Sequence, residues 1–108
     1  MKFKLGFYNW LVKFVDYEIV SDGGDSALGI TFLDDKIIKI SNNQNQQCKR
    51  ETLMHELLHA CFGDFDLDDE LEEKIILHIS PILMDLLDNN PEVRNYLVNE
   101  NLGEKQYD

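Results

Sequence analysis

This chain is short of cysteine, of basic residues and of long apolar runs, and each shortage closes off a class of function. Its 108 residues include two cysteines, Cys48 and Cys61. They form no C-x-x-C pair and no disulfide or zinc framework, so they read as reduced thiols of a cytoplasmic protein, with Cys61 packed in the core. No apolar run approaches the roughly 20 residues that a membrane-spanning helix needs, which excludes a membrane partner of that kind. Met1-Lys2-Phe3-Lys4-Leu5 superficially resembles the charged start of a secretion signal. Asn9, Lys13 and Asp16 interrupt the apolar stretch after it, however, and the segment has no small-residue cleavage site.

Lys and Arg number 10 against 21 Asp and Glu, for a formal net charge of −11. That balance repels a phosphate backbone and argues against nucleic acid as a partner. The acids gather in Asp64 to Glu73 and toward the C-terminus, where they read as a solvating surface or, more sharply, as an attraction for a basic protein partner or substrate. Internal repeats and low-complexity segments are also missing. An apolar content of 44% over this length supports one core and a single domain covering 1–108.

Histidine is scarce too, and its placement is the most informative feature of the chain. Two of the three fall in His55-Glu56-Leu57-Leu58-His59, an H-E-x-x-H pattern. On a helix, positions i and i+4 lie one above the other, so both imidazoles can reach one ion, with the intervening carboxylate placed to take a proton from a water that the ion activates. On an exposed helix face the same five residues would be two solvated imidazoles and a surface carboxylate. The surrounding segment answers that objection, because Gln46 to Phe62 reads as helix on independent grounds: polar residues that can cap precede it, Leu53, Leu57, Ala60 and Cys61 recur at helical spacing, and Gly63 comes next, where a helix C-terminus favours a left-handed residue. Thr52, His55, Glu56 and His59 share a second stripe, expected to face a cleft.

Before that helix the pattern has a period of two. Phe3-Lys4-Leu5 and Trp10 to Val15 read as a hairpin across Gly6 to Asn9, with Trp10, Val12 and Phe14 alternating against Leu11, Lys13 and Val15. Ser21 to Ser26 reads as a loop. Leu28 to Phe32 and Lys36 to Ile40 form a second hairpin over Asp34-Asp35. A second helix begins near Asp66 to Asp69, acids suited to a helix N-terminus, and runs through Leu71, Ile75, Ile76, Ile79, Ile82, Leu83 and Leu86 with a kink at Pro81. Asn90 and Pro91 start a short third helix over Val93 to Val98, and a frayed tail is expected beyond Leu102. The fold class is therefore α+β: a small, mostly antiparallel sheet of about four strands packed on the H-E-x-x-H helix and a second, ligand-bearing helix, plus a short C-terminal helix.

A catalytic zinc takes three protein ligands and leaves a fourth position open. The extended pattern H-E-x-x-H-x-x-G-x-x-H is excluded, since Phe62 and Phe65 occupy its Gly and third His positions. If the two helices form an antiparallel pair, His59 and Glu72 face each other, about a turn to either side of the connection. His78 lies roughly 9 Å further along the axis at 1.5 Å per residue. Glu72 also shares a face with Ile75, Ile76 and Ile79, and a carboxylate aimed at an apolar core calls for a metal. Glu72 is therefore the expected third ligand, with Glu73 as the alternative. Arg94, Tyr96 and Tyr107 are the available candidates for an oxyanion stabiliser.

The run Thr52-Leu53-Met54-His55-Glu56-Leu57-Leu58-His59-Ala60, the Glu72-Glu73 helix and the Asn90-Pro91 segment together resemble the compact zincin-like metallopeptidases of phages and mobile elements, related to the ImmA/IrrE group. The resemblance covers about Trp10 to Leu97, and its specific part is the zinc motif. It implies a zincin-like fold, an edge strand near Leu28 to Phe32 that binds an extended peptide, a protein or peptide substrate (often a repressor in that group) and the cytoplasm of a host cell. Unlike much of that group, these 108 residues are expected to hold no helix-turn-helix or sensor domain. The expected chemistry is amide hydrolysis with Zn²⁺ held by His55, His59 and Glu72, and with Glu56 as general base. The alternative from another class is a zinc-stabilised binding or inhibitor protein without turnover.

Overall fold

The structure, a computed structural model, describes residues 1–99. The tail beyond Leu102 and Tyr107 lie outside the described residues. The chain forms β1 (Lys2–Leu5), β2 (Tyr8–Val15), β3 (Ile19–Val20), β4 (Ser26–Ala27), β5 (Gly29–Phe32), β6 (Ile37–Ser41), α1 (Gln46–Phe62), α2 (Asp69–Asn89) and α3 (Pro91–Val98). The α+β class is as expected. No helix among the described residues is long and apolar enough to cross a membrane.

The main sheet has four strands in the order β1-β2-β6-β5. Both expected hairpins are present. β1 pairs antiparallel with β2, turning tightly at Gly6, whose φ of 62° suits the primed turns that match strand twist. β5 pairs antiparallel with β6. The pairing that joins the two hairpins, β2 with β6, is parallel, so the sheet is mixed. Alternation marks the faces of a strand but not its direction, and only tertiary packing decides the latter. The segment read as a loop is closed by a small antiparallel pair, β3 with β4, beside the buried Ile19.

Register fixes what faces α1. Val12 and Thr31 both lie abreast of Ile38, and Gly29 lies abreast of Ile40. Ile38 and Ile40 are fully buried, and with Trp10, Val12 and Ala60 they make the core. Leu53 and Leu57 of α1 pack against that cluster from above. Of the alternating residues on β2, Trp10 and Val12 are buried and Phe14 is 40% exposed, whereas Val15 is buried beside the buried Ser41.

The helix ends follow local chemistry. The Asn45 side chain caps α1 by accepting from the Cys48 amide at 2.8 Å, and Gly63 (φ 52°) closes the helix with its amide on the His59 carbonyl at 3.0 Å. Cys61 is exposed, contrary to the core position expected for it. Ala60 takes the inward position, and one residue further turns the side chain by about 100°. Asp68 caps α2 by accepting from the amides of Glu70 and Leu71. Asn90 does not cap α3 with its side chain, which instead donates to the Leu86 carbonyl at 2.8 Å. α2 continues through Pro81, whose missing N–H leaves the Leu77 carbonyl without its helical donor.

Truncating Ile38 to Ala should lower the unfolding free energy by about 2–5 kcal/mol, because the site is fully enclosed. Urea denaturation followed by circular dichroism measures this. A loss well under 1 kcal/mol would mean that the sheet and α1 do not share this core.

Candidate metal centre

α1 presents His55 and His59 one turn apart, with ring centroids separated by 5.0 Å. The tight connection after Gly63, held by the Phe65 amide on the Phe62 carbonyl at 2.9 Å, sends α2 back along α1. An ion pair between Arg50 and Asp88 ties the other end of the two helices. The first turns of α2 therefore lie against the imidazoles.

Two consecutive glutamates of α2 meet them differently. The Glu73 carboxylate spans both rings, with one oxygen 2.9 Å from Nε2 of His55 and the other 2.8 Å from Nε2 of His59. Glu72 lies 2.7 Å from the other ring nitrogen of His59, Nδ1. The donor atoms of His55, His59 and Glu73 fall within 4.8 Å of one another. A tetrahedral zinc with bonds near 2.0–2.1 Å needs donors about 3.3–3.5 Å apart, and the Glu73–imidazole separations of 2.8 and 2.9 Å lie a few tenths of an ångström below that. The Glu73 side chain, 44% exposed, has room to move outward by that amount. Glu72 is then the outer partner that orients a ligating imidazole, the usual companion of a metal-bound histidine.

Burial pulls the His59 imidazole down. The hydrogen bond with Glu72 and the charges of Glu56, Glu73 and Glu72 outweigh it, so the net shift is upward. Three carboxylates around two imidazoles form a negative basin that a cation balances.

Glu56 lies beneath β5. It is 7% exposed. Thr31 of the edge strand donates from Oγ1 to Glu56 Oε1 at 2.8 Å, and the same hydroxyl lies 3.1 Å from the Glu56 main-chain oxygen. Desolvation by burial raises the Glu56 carboxyl above its usual range, against the lowering effects of the Thr31 hydrogen bond and of His59 and His55. A carboxylate tuned upward is better matched to taking a proton near neutral pH. Gly29 makes the close approach possible, because a Cβ there would lie 2.7 Å from Thr52 Cγ2 and 3.0 Å from Glu56 Cγ.

The residues expected from the sequence thus separate. His55 and His59 converge as expected; Glu73, the alternative, joins them as third donor; and Glu72, the first choice, sits on the outer nitrogen. His78 is exposed on α2 and outside the cluster. Arg94 donates to the Leu87 carbonyl near the far end of α2, and the half-exposed Tyr96 shares its helix, so neither joins the donor set. Thr31 and Gly29 were not anticipated, and no local signal marks them. No protein-family model matches the chain, and no curated protein or solved structure matches it. The functional reading therefore rests on this geometry.

Zinc binding should respond to the two glutamates in different ways, measured by competition with a chromogenic chelator. Glu73→Ala should abolish stoichiometric binding, and Glu72→Ala should keep one zinc but weaken it by about 10–100-fold; the reverse pattern would exchange their roles. Zinc must also displace the proton that His59 holds. Because that imidazole titrates above its usual 6.5, affinity should already decline as pH falls through the neutral range and keep falling below it. An affinity constant between roughly pH 6 and 8 would show that no such proton is displaced.

Proposed function

We propose that this chain is a zinc-dependent metallopeptidase of zincin-like architecture, resembling the ImmA/IrrE group. His55, His59 and Glu73 hold Zn²⁺, Glu72 fixes His59, and Glu56 is the general base. The observation that carries this reading is the pairing of a three-donor cluster, two donors from α1 and one from α2, with a buried carboxylate of α1 next to an open sheet edge. A purely structural zinc is usually closed by four Cys or His ligands and has no need of Glu56.

When bound, the ion supplies Lewis-acid chemistry, acidifying water and polarising the scissile carbonyl. Glu56 accepts the proton of the attacking water and returns it to the leaving amine as the C–N bond breaks. Thr31 holds Glu56 in place from the edge strand. The outer edge of β5 offers main-chain groups to an extended substrate, a protein or peptide, by strand addition. The unpaired Cys48 and Cys61 suit a reducing, cytoplasmic setting.

The deciding comparison is between the native chain and Glu56→Gln, each purified without chelator or histidine tag, assayed for zinc and incubated with a proteome-derived peptide mixture read by mass spectrometry. Glu56→Gln should retain one zinc per chain and lose about 10²–10⁴-fold in cleavage rate. Equal cleavage by both would remove Glu56 as base. Stoichiometric zinc without cleavage by the native chain would favour a non-catalytic binding or inhibitor protein instead.

A further inference from the structure

We propose that the cavity beside the metal donors takes a lysine or arginine side chain, so that the substrate is a basic segment with its cationic residue next to the scissile bond. The placement relative to the scissile bond rests on the peptidase reading; the binding preference of the cavity does not.

The cavity measures about 510 Å³ and opens between β5, α1 and α2. Its volume lies within the roughly 300–1,000 Å³ typical of ligand sites. Leu28, Leu77 and Pro81 form apolar walls, His55 and Glu56 connect it to the donor cluster, and Glu51 stands one helical turn before His55. Walls of this kind accept an aliphatic stem, as in the long basic side chains that bury their methylenes and keep the head on polar groups.

Of the polar side chains that line it, Glu51 and Glu56 are carboxylates and Thr52 presents an acceptor, beside the Ser80 hydroxyl and the His55 imidazole. Glu51 has only a neutral donor, the Gln47 amide at 3.2 Å, and no cationic partner among the described residues. Its neighbour Arg50 is turned away to Asp88. The hydroxyl of Thr52, which also lines the cavity, gives its proton to Gln44 Oε1 at 3.0 Å and so presents lone pairs. Among the described residues no Lys or Arg lines the cavity. An acidic side chain would meet the carboxylates of Glu51 and Glu56 as like charges, and an apolar one would leave the acceptors unpaired. The net charge of −11 draws a basic chain toward the site from a distance.

The test uses the zinc-loaded native chain, labelled with ¹⁵N and titrated with the N-acetyl amides of lysine, arginine, norleucine and glutamate. The lysine and arginine amides should shift the backbone signals of Leu28, Gly29, Thr52 and Leu77, and should bind about 3–10-fold more tightly than norleucine amide. Glu51→Gln, a change at an exposed position, should remove that preference and leave the fold and zinc content intact. Equal binding of norleucine, preference unaffected by Glu51→Gln, or shifts confined to other regions would each overturn the proposal. In the peptide-mixture assay, cleavage flanked by non-basic residues would overturn it while leaving the peptidase reading standing. Absence of all cleavage would sink the peptidase reading, and the titration would still decide what the cavity binds.

Discussion

The contact between α2 and the two imidazoles of α1 is the constraint on which the rest of the site depends. Glu56, Glu72 and Glu73 all act on His59, in a chain that already carries a net charge of −11. Carboxylates this close repel one another unless positive charge lies between them, and in a partly buried setting water screens that repulsion weakly. Protonated histidine can supply the balance in part, and a divalent cation does so more fully. The helix pair thus gathers negative charge that positive charge would balance. Each ring nitrogen of His59 has a carboxylate oxygen within 2.7–2.8 Å, which fixes the ring more firmly than packing would.

How much of this was legible in the sequence depends on the range of the signal. α1 was readable to its ends because Asn45 and Gly63 act on residues within one turn of themselves. The H-E-x-x-H pattern was readable because its two histidines and its glutamate lie within five consecutive residues of one helix. The choice between Glu72 and Glu73 was not. They are adjacent, about 100° apart on α2, and the connection from Gly63 to Asp68 decides which of them meets the Nε2 atoms. The parallel pairing of β2 with β6 was equally out of reach, since it joins segments separated by the whole of β3, β4 and β5.

Thr31 is the clearest case of information held only in three dimensions. In Leu28-Gly29-Ile30-Thr31-Phe32 the apolar residues alternate, and that pattern alone would turn Leu28, Ile30 and Phe32 toward the core. Pairing with β6 does the reverse: Gly29 and Thr31 lie abreast of the buried Ile40 and Ile38, and Phe32 is 37% exposed. A glycine and a threonine at inward positions weaken a core that two aliphatic residues would fill. In return they admit the Glu56 side chain and give it a hydrogen-bond donor. Local preference and global structure disagree at a site that handles charge, which is where such disagreement is expected.

The connection between α1 and α2 has a consequence beyond joining them. It delivers α2 at one rotational setting, and on a helix a turn of about 100° separates one residue from the next, so that setting decides which acids face α1. Which acid meets which nitrogen of His59 therefore depends twice over, once on which residues are glutamate and once on the path of a segment outside the cluster. A rotation of α2 by one residue's step would exchange the partners of His59 without altering any of the three side chains.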